Sequence, residues 1–135
     1  ARESLHGIAS QLATYANRVG VLLADHAWPV TPSQESTASN KLTDALAVGI
    51  DPATILKGGG DPATEVLSST AKIASARLSD ANNYERVTVG TGRIDLLAYE
   101  VALHTSGFSK PLVVDLRGVR NQILAATSMA PPPAP

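Results

Sequence analysis

Val89-Gly90-Thr91-Gly92, ahead of a predicted helix, matches half of a dinucleotide-binding loop. Such a loop uses glycines so that a pyrophosphate can approach the amides of a helix N-terminus. The third glycine of the pattern would fall at position 95, which is Asp95, a carboxylate where phosphate oxygens would have to sit. The stretch therefore reads as a turn. Gly58-Gly59-Gly60 also precedes a helix, but a phosphate loop needs Lys and Ser or Thr straight after its last glycine, and Asp61-Pro62 follows here. Asp repels phosphate and Pro removes an amide donor, so a connector is the better reading.

Glu100 and His104 are four apart and share a face if helical, as two metal ligands or an acid–base pair would. Two ligands do not make a site, and His6 and His26 lie far away in sequence. An ion pair or exposed histidine is the favoured reading, and Asp25-His26 reads as the polar close of the first helix. Arg93, Arg117 and Arg120 could form an anion patch, but on a near-neutral chain they read better as solvated surface or salt-bridge partners. No Gly-x-Ser-x-Gly elbow occurs, and Ser106-Gly107 near His104 lacks a strand-turn-helix context. Trp28, the one Trp, reads as a cap over a helical core, with a partner-binding anchor as the alternative. No residue is assigned a catalytic, cofactor-binding or metal-binding role.

The elements that must position these residues read mainly as helices. Asp-Pro-Ala-Thr occurs twice, at Asp51–Thr54 and Asp61–Thr64, and each copy is a helix start. The Asp can accept from first-turn amides, and Pro at the first helical position loses no hydrogen bond. Leu5, Ile8, Leu12, Ala16, Val19, Leu22 and Leu23 keep helical spacing, predicting a long first helix that stops near Ala27, before Pro29. Further helices are expected over 38–48, from Pro52 to Lys57, from Pro62 to 80–83, from Ile94 to Gly107, and from Leu116 through Thr127. Glu85–Val89 alternates and reads as a strand or hairpin, and Leu112-Val113-Val114 as a short buried strand.

Composition narrows the class. With 135 residues, 44% of them apolar, the chain is long enough for one compact domain. Aromatics are only 4%, so the core must be built from small aliphatic contacts, which favours helix on helix. A net charge of −1 gives no basic field for phosphates, so nucleic-acid binding is disfavoured. The absence of cysteine removes disulfides and thiolate chemistry. No apolar run approaches the roughly 20 residues of a membrane span, so no membrane insertion by this stretch is expected. The start at Ala1, inside an amphipathic pattern, and the end at Pro131-Pro132-Pro133-Ala134-Pro135 read as a piece cut from a longer protein.

The Ala-, Ser- and Thr-rich helices, the scarcity of Lys and the tail from Ala125 to Pro135 resemble soluble domains of mycobacterial or related actinobacterial cell-envelope proteins, of the kind found with type VII secretion systems. That resemblance implies protein–protein contact at the envelope. Secreted helical substrates of that system carry Trp-x-Gly and some partners Tyr-x-x-x-Asp or Glu. Here Trp28 precedes Pro29-Val30 and no tyrosine has an acidic residue four positions on, so no functional residues are carried over. The expectation is a mostly α, single helical domain over 1–129, with α+β as the alternative if short strands form in 84–97 and 112–116. A Pro-rich linker follows over 130–135. The expected function is a non-enzymatic interaction domain that engages a protein partner through an apolar groove or the Trp28–Asn40 loop. The alternative is a small-ligand or nucleotide-handling enzyme domain built on Gly90-Thr91-Gly92, with Glu100, His104, Arg117 and Arg120 converging beside it.

Overall fold

The computed structural model describes residues 2–26, 46–69 and 72–129. Helix α1 (Arg2–Arg18) is followed by strand β1 (Leu23–Asp25) and strand β2 (Leu46–Ile50). Two short helices, α2 (Pro52–Lys57) and α3 (Pro62–Ser68), lead to strand β3 (Ile73–Leu78). A small hairpin of β4 (Asp80–Ala81) and β5 (Arg86–Val87) precedes helix α4 (Leu96–Thr105), strand β6 (Val113–Val114) and helix α5 (Gln122–Met129).

The chain is α/β. Strands β1-β2-β3-β6 form one sheet in that order, with every neighbouring pair parallel. The expected mostly helical fold is therefore corrected, and each misread segment has a local reason. The first helix stops at Arg18, well before Ala27, because Gly20 takes a φ of 72° and lets the Val21 amide close onto the Ala16 carbonyl at 2.8 Å, the hydrogen bond of a Schellman end. Leu23 then pairs with Leu46, so residues that fitted the helical stripe become strand.

The helix expected over 38–48 has its first part outside the described residues, and Leu46–Ile50 is strand β2. Its nearly unbroken apolar run, Leu46-Ala47-Val48-Gly49-Ile50, suits a parallel strand covered on both faces. The helix from Pro62 ends at Ser68, where Ser69 turns extended with ψ 124°, and Ile73–Leu78 joins the sheet between β2 and β6. Pro52–Lys57 is helical as expected. Strand forms at Arg86–Val87 but pairs antiparallel with Asp80–Ala81, a partner the spacing did not suggest.

The helical layer covers one face of the sheet. Val48 and Ile50 of β2 and Ala76 of β3 pack with Ile55, Val66, Tyr99, Ala102 and Leu103 into the main core. Tyr99 is fully buried and its hydroxyl donates to the Arg77 carbonyl at 3.0 Å, satisfying a polar group that burial would otherwise penalise. Because strand side chains alternate, Gly49, Ser75 and Arg77 point to the opposite face. That face carries the polar chemistry.

Candidate functional site at the carboxyl edge of the sheet

Four parallel strands bring their carboxyl ends to one edge, and each ends on an acid: Asp25, Asp51, Asp80 and Asp115. Asp25 closes β1, Asp51 and Asp115 follow β2 and β6, and Asp80 follows β3 after Ser79. In parallel α/β sheets and barrels this edge is where ligands bind, because loops there can vary without disturbing the core.

Asp51 and Asp115 are buried and tied together by arginines. Asp51 Oδ1 accepts from the Ser79 hydroxyl at 2.8 Å, and Oδ2 accepts from Thr54 Oγ1 at 3.0 Å. Arg77 Nη1 bridges the two acids, 3.3 Å from Asp51 Oδ2 and 3.4 Å from Asp115 Oδ2. Arg86 reaches over from the hairpin to do the same, hydrogen-bonding Asp51 Oδ2 through Nη2. Its Nη1 lies 3.5 Å from Asp115 Oδ2 as an ion pair without hydrogen-bond alignment. Arg117 grips Asp115 in a fork, Nε to Oδ1 at 2.9 Å and Nη2 to Oδ2 at 2.7 Å. Its own side chain is 69% exposed, so it is the member of the network most open to a ligand.

Burial alone would push the Asp51 carboxyl up, but hydrogen bonds from Arg86, Ser79 and Thr54 outweigh it and the net shift is down. Hydrogen bonds from Arg117 likewise hold Asp115 far below the usual carboxylate range despite its burial. Both therefore stay ionised and are poor bases. His26 lies on the polar face with Nε2 3.2 Å from the Ser75 hydroxyl, and its ring occupies the space that a side chain at position 49 would fill. Burial and then the charge of Arg77 lower its pKa below 6.5, against weaker opposing pulls from Asp51 and Asp25. A neutral imidazole therefore faces the same surface as a cationic guanidinium.

The Gly90-Thr91-Gly92 turn has a different role from the one its spacing suggested. Gly90 N and Gly92 N donate to Asp80 Oδ2 at 3.0 and 2.8 Å, while Ala81 N and Ile94 N donate to Oδ1 at 2.8 and 3.3 Å. The turn does gather amides around an anion, but the anion is the chain's own buried carboxylate. Phosphate would find those donors occupied, so this part of the enzyme alternative is corrected. Its predicted convergence is not found either. Helix α4 runs from the carboxyl edge back toward the start of β6, so exposed His104 in its last turn sits at the opposite end from Arg117. Glu100 and Arg120 are also exposed, and Arg93 bonds Asn83.

Trp28 and the loop to Asn40 lie outside the described residues. Asp25-His26 ends a strand and does not close a helix. Asp51, Arg77, Arg86 and Asp115 were not singled out at all. A signal for them exists: the short runs Leu23-Ala24-Asp25, Gly49-Ile50-Asp51, Leu78-Ser79-Asp80 and Val113-Val114-Asp115 recur about 30 residues apart, the length of one strand–helix unit. Among the described residues no group of three or more His, Asp or Glu is placed to hold a metal ion, and no helix is long and apolar enough to cross a membrane.

No protein-family model matches the chain, and no curated protein does. Solved structures do. A xylose isomerase domain protein from Planctomyces limnophilus superposes with a TM-score of 0.73 over 93% of this chain and 48% of its own, at 20% identity. A D-tagatose 3-epimerase-like protein superposes with a TM-score of 0.71 over 92% of this chain and 51% of its own, at 17% identity. The chain thus spans about half the length of each. The resemblance to envelope domains of type VII secretion, and with it the helical, non-enzymatic interaction module, is overturned by these matches. In fold, the chain is a parallel α/β half-barrel of the xylose isomerase-like kind.

Proposed function

We propose that this chain belongs to an enzyme acting on a small carbohydrate, with its substrate surface at the carboxyl edge of the sheet. The observation that carries this reading is the row His26, Ser75, Arg77 on the polar sheet face, running into the buried Asp51–Arg86–Asp115 network. The two superposed structures are titled as a xylose isomerase domain protein and a D-tagatose 3-epimerase-like protein, which supports a sugar as the ligand class.

The groups present suit that ligand. Ser75, Arg77 and the exposed Arg117 can donate to hydroxyl and carbonyl oxygens. His26, neutral near pH 7, is the group of this set best suited to accept a proton, because the flanking carboxylates are held too far down to be useful bases. In an isomerisation or epimerisation, the C–H proton beside a carbonyl would pass to the imidazole. The bond pair then becomes the enediolate double bond, and the carbonyl oxygen takes the charge next to Arg77. Returning the proton to the neighbouring carbon, or to the other face of the same carbon, completes either reaction. The Gly90-Thr91-Gly92 turn takes no part.

The test is exchange of substrate C–H for deuterium in D2O, followed by proton NMR over a panel of aldoses and ketoses. At least one sugar is expected to lose its signal beside the carbonyl, and His26→Gln to abolish that loss. A panel with neither exchange nor a thermal shift would end the carbohydrate reading.

A further inference from the structure

The parallel sheet has two open edges, β1 on one side and β6 on the other. An open edge leaves backbone N–H and C=O groups unpaired, and purely parallel sheets are normally closed or covered. On β6, Val113 is 56% and Val114 47% exposed, so neither face of this strand is covered. Helix α5 after it exposes Ile123 at 82%, and the segment leading into β1 exposes Tyr15 at 62%. Both flanks of the sheet are therefore apolar. At the carboxyl end of the β6 flank stands the exposed Arg117 guanidinium, and at the same height on the β1 flank the exposed carboxylate of Asp25.

We propose that a second copy of this chain closes the sheet, with β6 of each copy pairing in parallel with β1 of the other about a two-fold axis along the strands. A two-fold pair makes the same edge-to-edge contact twice and leaves no edge over. Four strands from each copy give eight, the number at which a parallel sheet closes around a side-chain-filled interior. The two superposed structures are each about twice as long as this chain, so two copies supply the length of one. A net charge of −1 puts little repulsion between them. Closure turns His26, Ser75 and Arg77 inward and brings Arg117 of one copy beside Asp25 of the other, so each copy's site is finished by its mate. This inference rests on the fold and not on the sugar chemistry, and mass is measured independently of turnover.

Light scattering after size exclusion tests it directly. The chain is expected to run at twice its 14.0 kDa across a dilution series until it dissociates. Val114→Lys on the edge strand and Ile123→Lys on the exposed face of α5 are each expected to give monomer, with circular dichroism confirming the fold. If Val114→Lys fails to fold, Ile123→Lys decides. Tyr84→Lys, on a hairpin residue 87% exposed and away from both edges, is expected to stay dimeric. A monomeric unmodified chain, a dimer indifferent to both lysines, or growth into larger open assemblies would each overturn the closed pair.

Discussion

The backbone amide of Gly92 donates to the Asp80 carboxylate at 2.8 Å, and no room for a methyl group remains between them. A Cβ at position 92 would collide with the Asp80 side chain and with the Ala81 carbonyl, which is backbone and cannot swing away. Gly92→Ala is therefore expected to cost about 1–3 kcal/mol in urea unfolding, the usual range for overpacking. Asp80→Ala strands the amides of Ala81, Gly90, Gly92 and Ile94 and is expected to cost about 3 kcal/mol or more. Gly7→Ala, in open space on α1, should be neutral or stabilise by up to about 1 kcal/mol.

One tetrapeptide has two uses, and mutation should separate them. Asp61 caps its helix, accepting from Thr64 N at 2.8 Å, so Asp61→Ala is expected to cost about 1 kcal/mol. Asp51 makes no cap bond and holds Ser79, Thr54, Arg77 and Arg86 with a side chain only 3% exposed. Removing it leaves two guanidinium groups short of a partner, so Asp51→Ala should cost about 3–5 kcal/mol. Equal costs in urea titrations of the two variants would contradict this division of roles.

Stability should fall on the acid side. Asp51 and Asp115 both have folded pKa values lowered from the ordinary 3.8. Their contribution is thus complete above 3.8 and is lost as the pH drops below it toward the depressed folded values. Melting temperatures measured from neutral pH downward should decline below about pH 4. In Arg117→Gln, which removes the strongest pull on Asp115, the melting curve should depend less steeply on pH in that window.

His26 should titrate below 6.5 in the folded chain. The sign follows from burial and Arg77 favouring the neutral ring, so the stability it contributes is full above 6.5 and lost as the pH falls through the lower folded value. Histidine NMR titration reads this site directly, and Arg77→Gln should move its midpoint upward. A midpoint at or above 6.5 would remove His26 as a neutral proton acceptor.

Local signals were legible where the physics is local. Both Asp-Pro-Ala-Thr starts, the helix at Pro52–Lys57 and a helix ending just before Gly107 depend on caps, proline and glycine, and the residues alone determined them. The short-strand character of Arg86–Val87 and Val113–Val114 was visible in their β-branched composition, yet what these strands pair with was not. Leu23-Ala24-Asp25 and Ile73–Leu78 satisfied a helical period equally well, and only parallel pairing with Leu46–Ile50 made them strands. Partners of that kind lie one strand–helix unit away, so no window along the chain contains the deciding contact. The same limit hid the site. Asp51, Arg77, Arg86 and Asp115 are ordinary charged residues in sequence, and an ion network exists among them only because three strand ends and a hairpin meet at one edge, where burial makes each charge depend on the others.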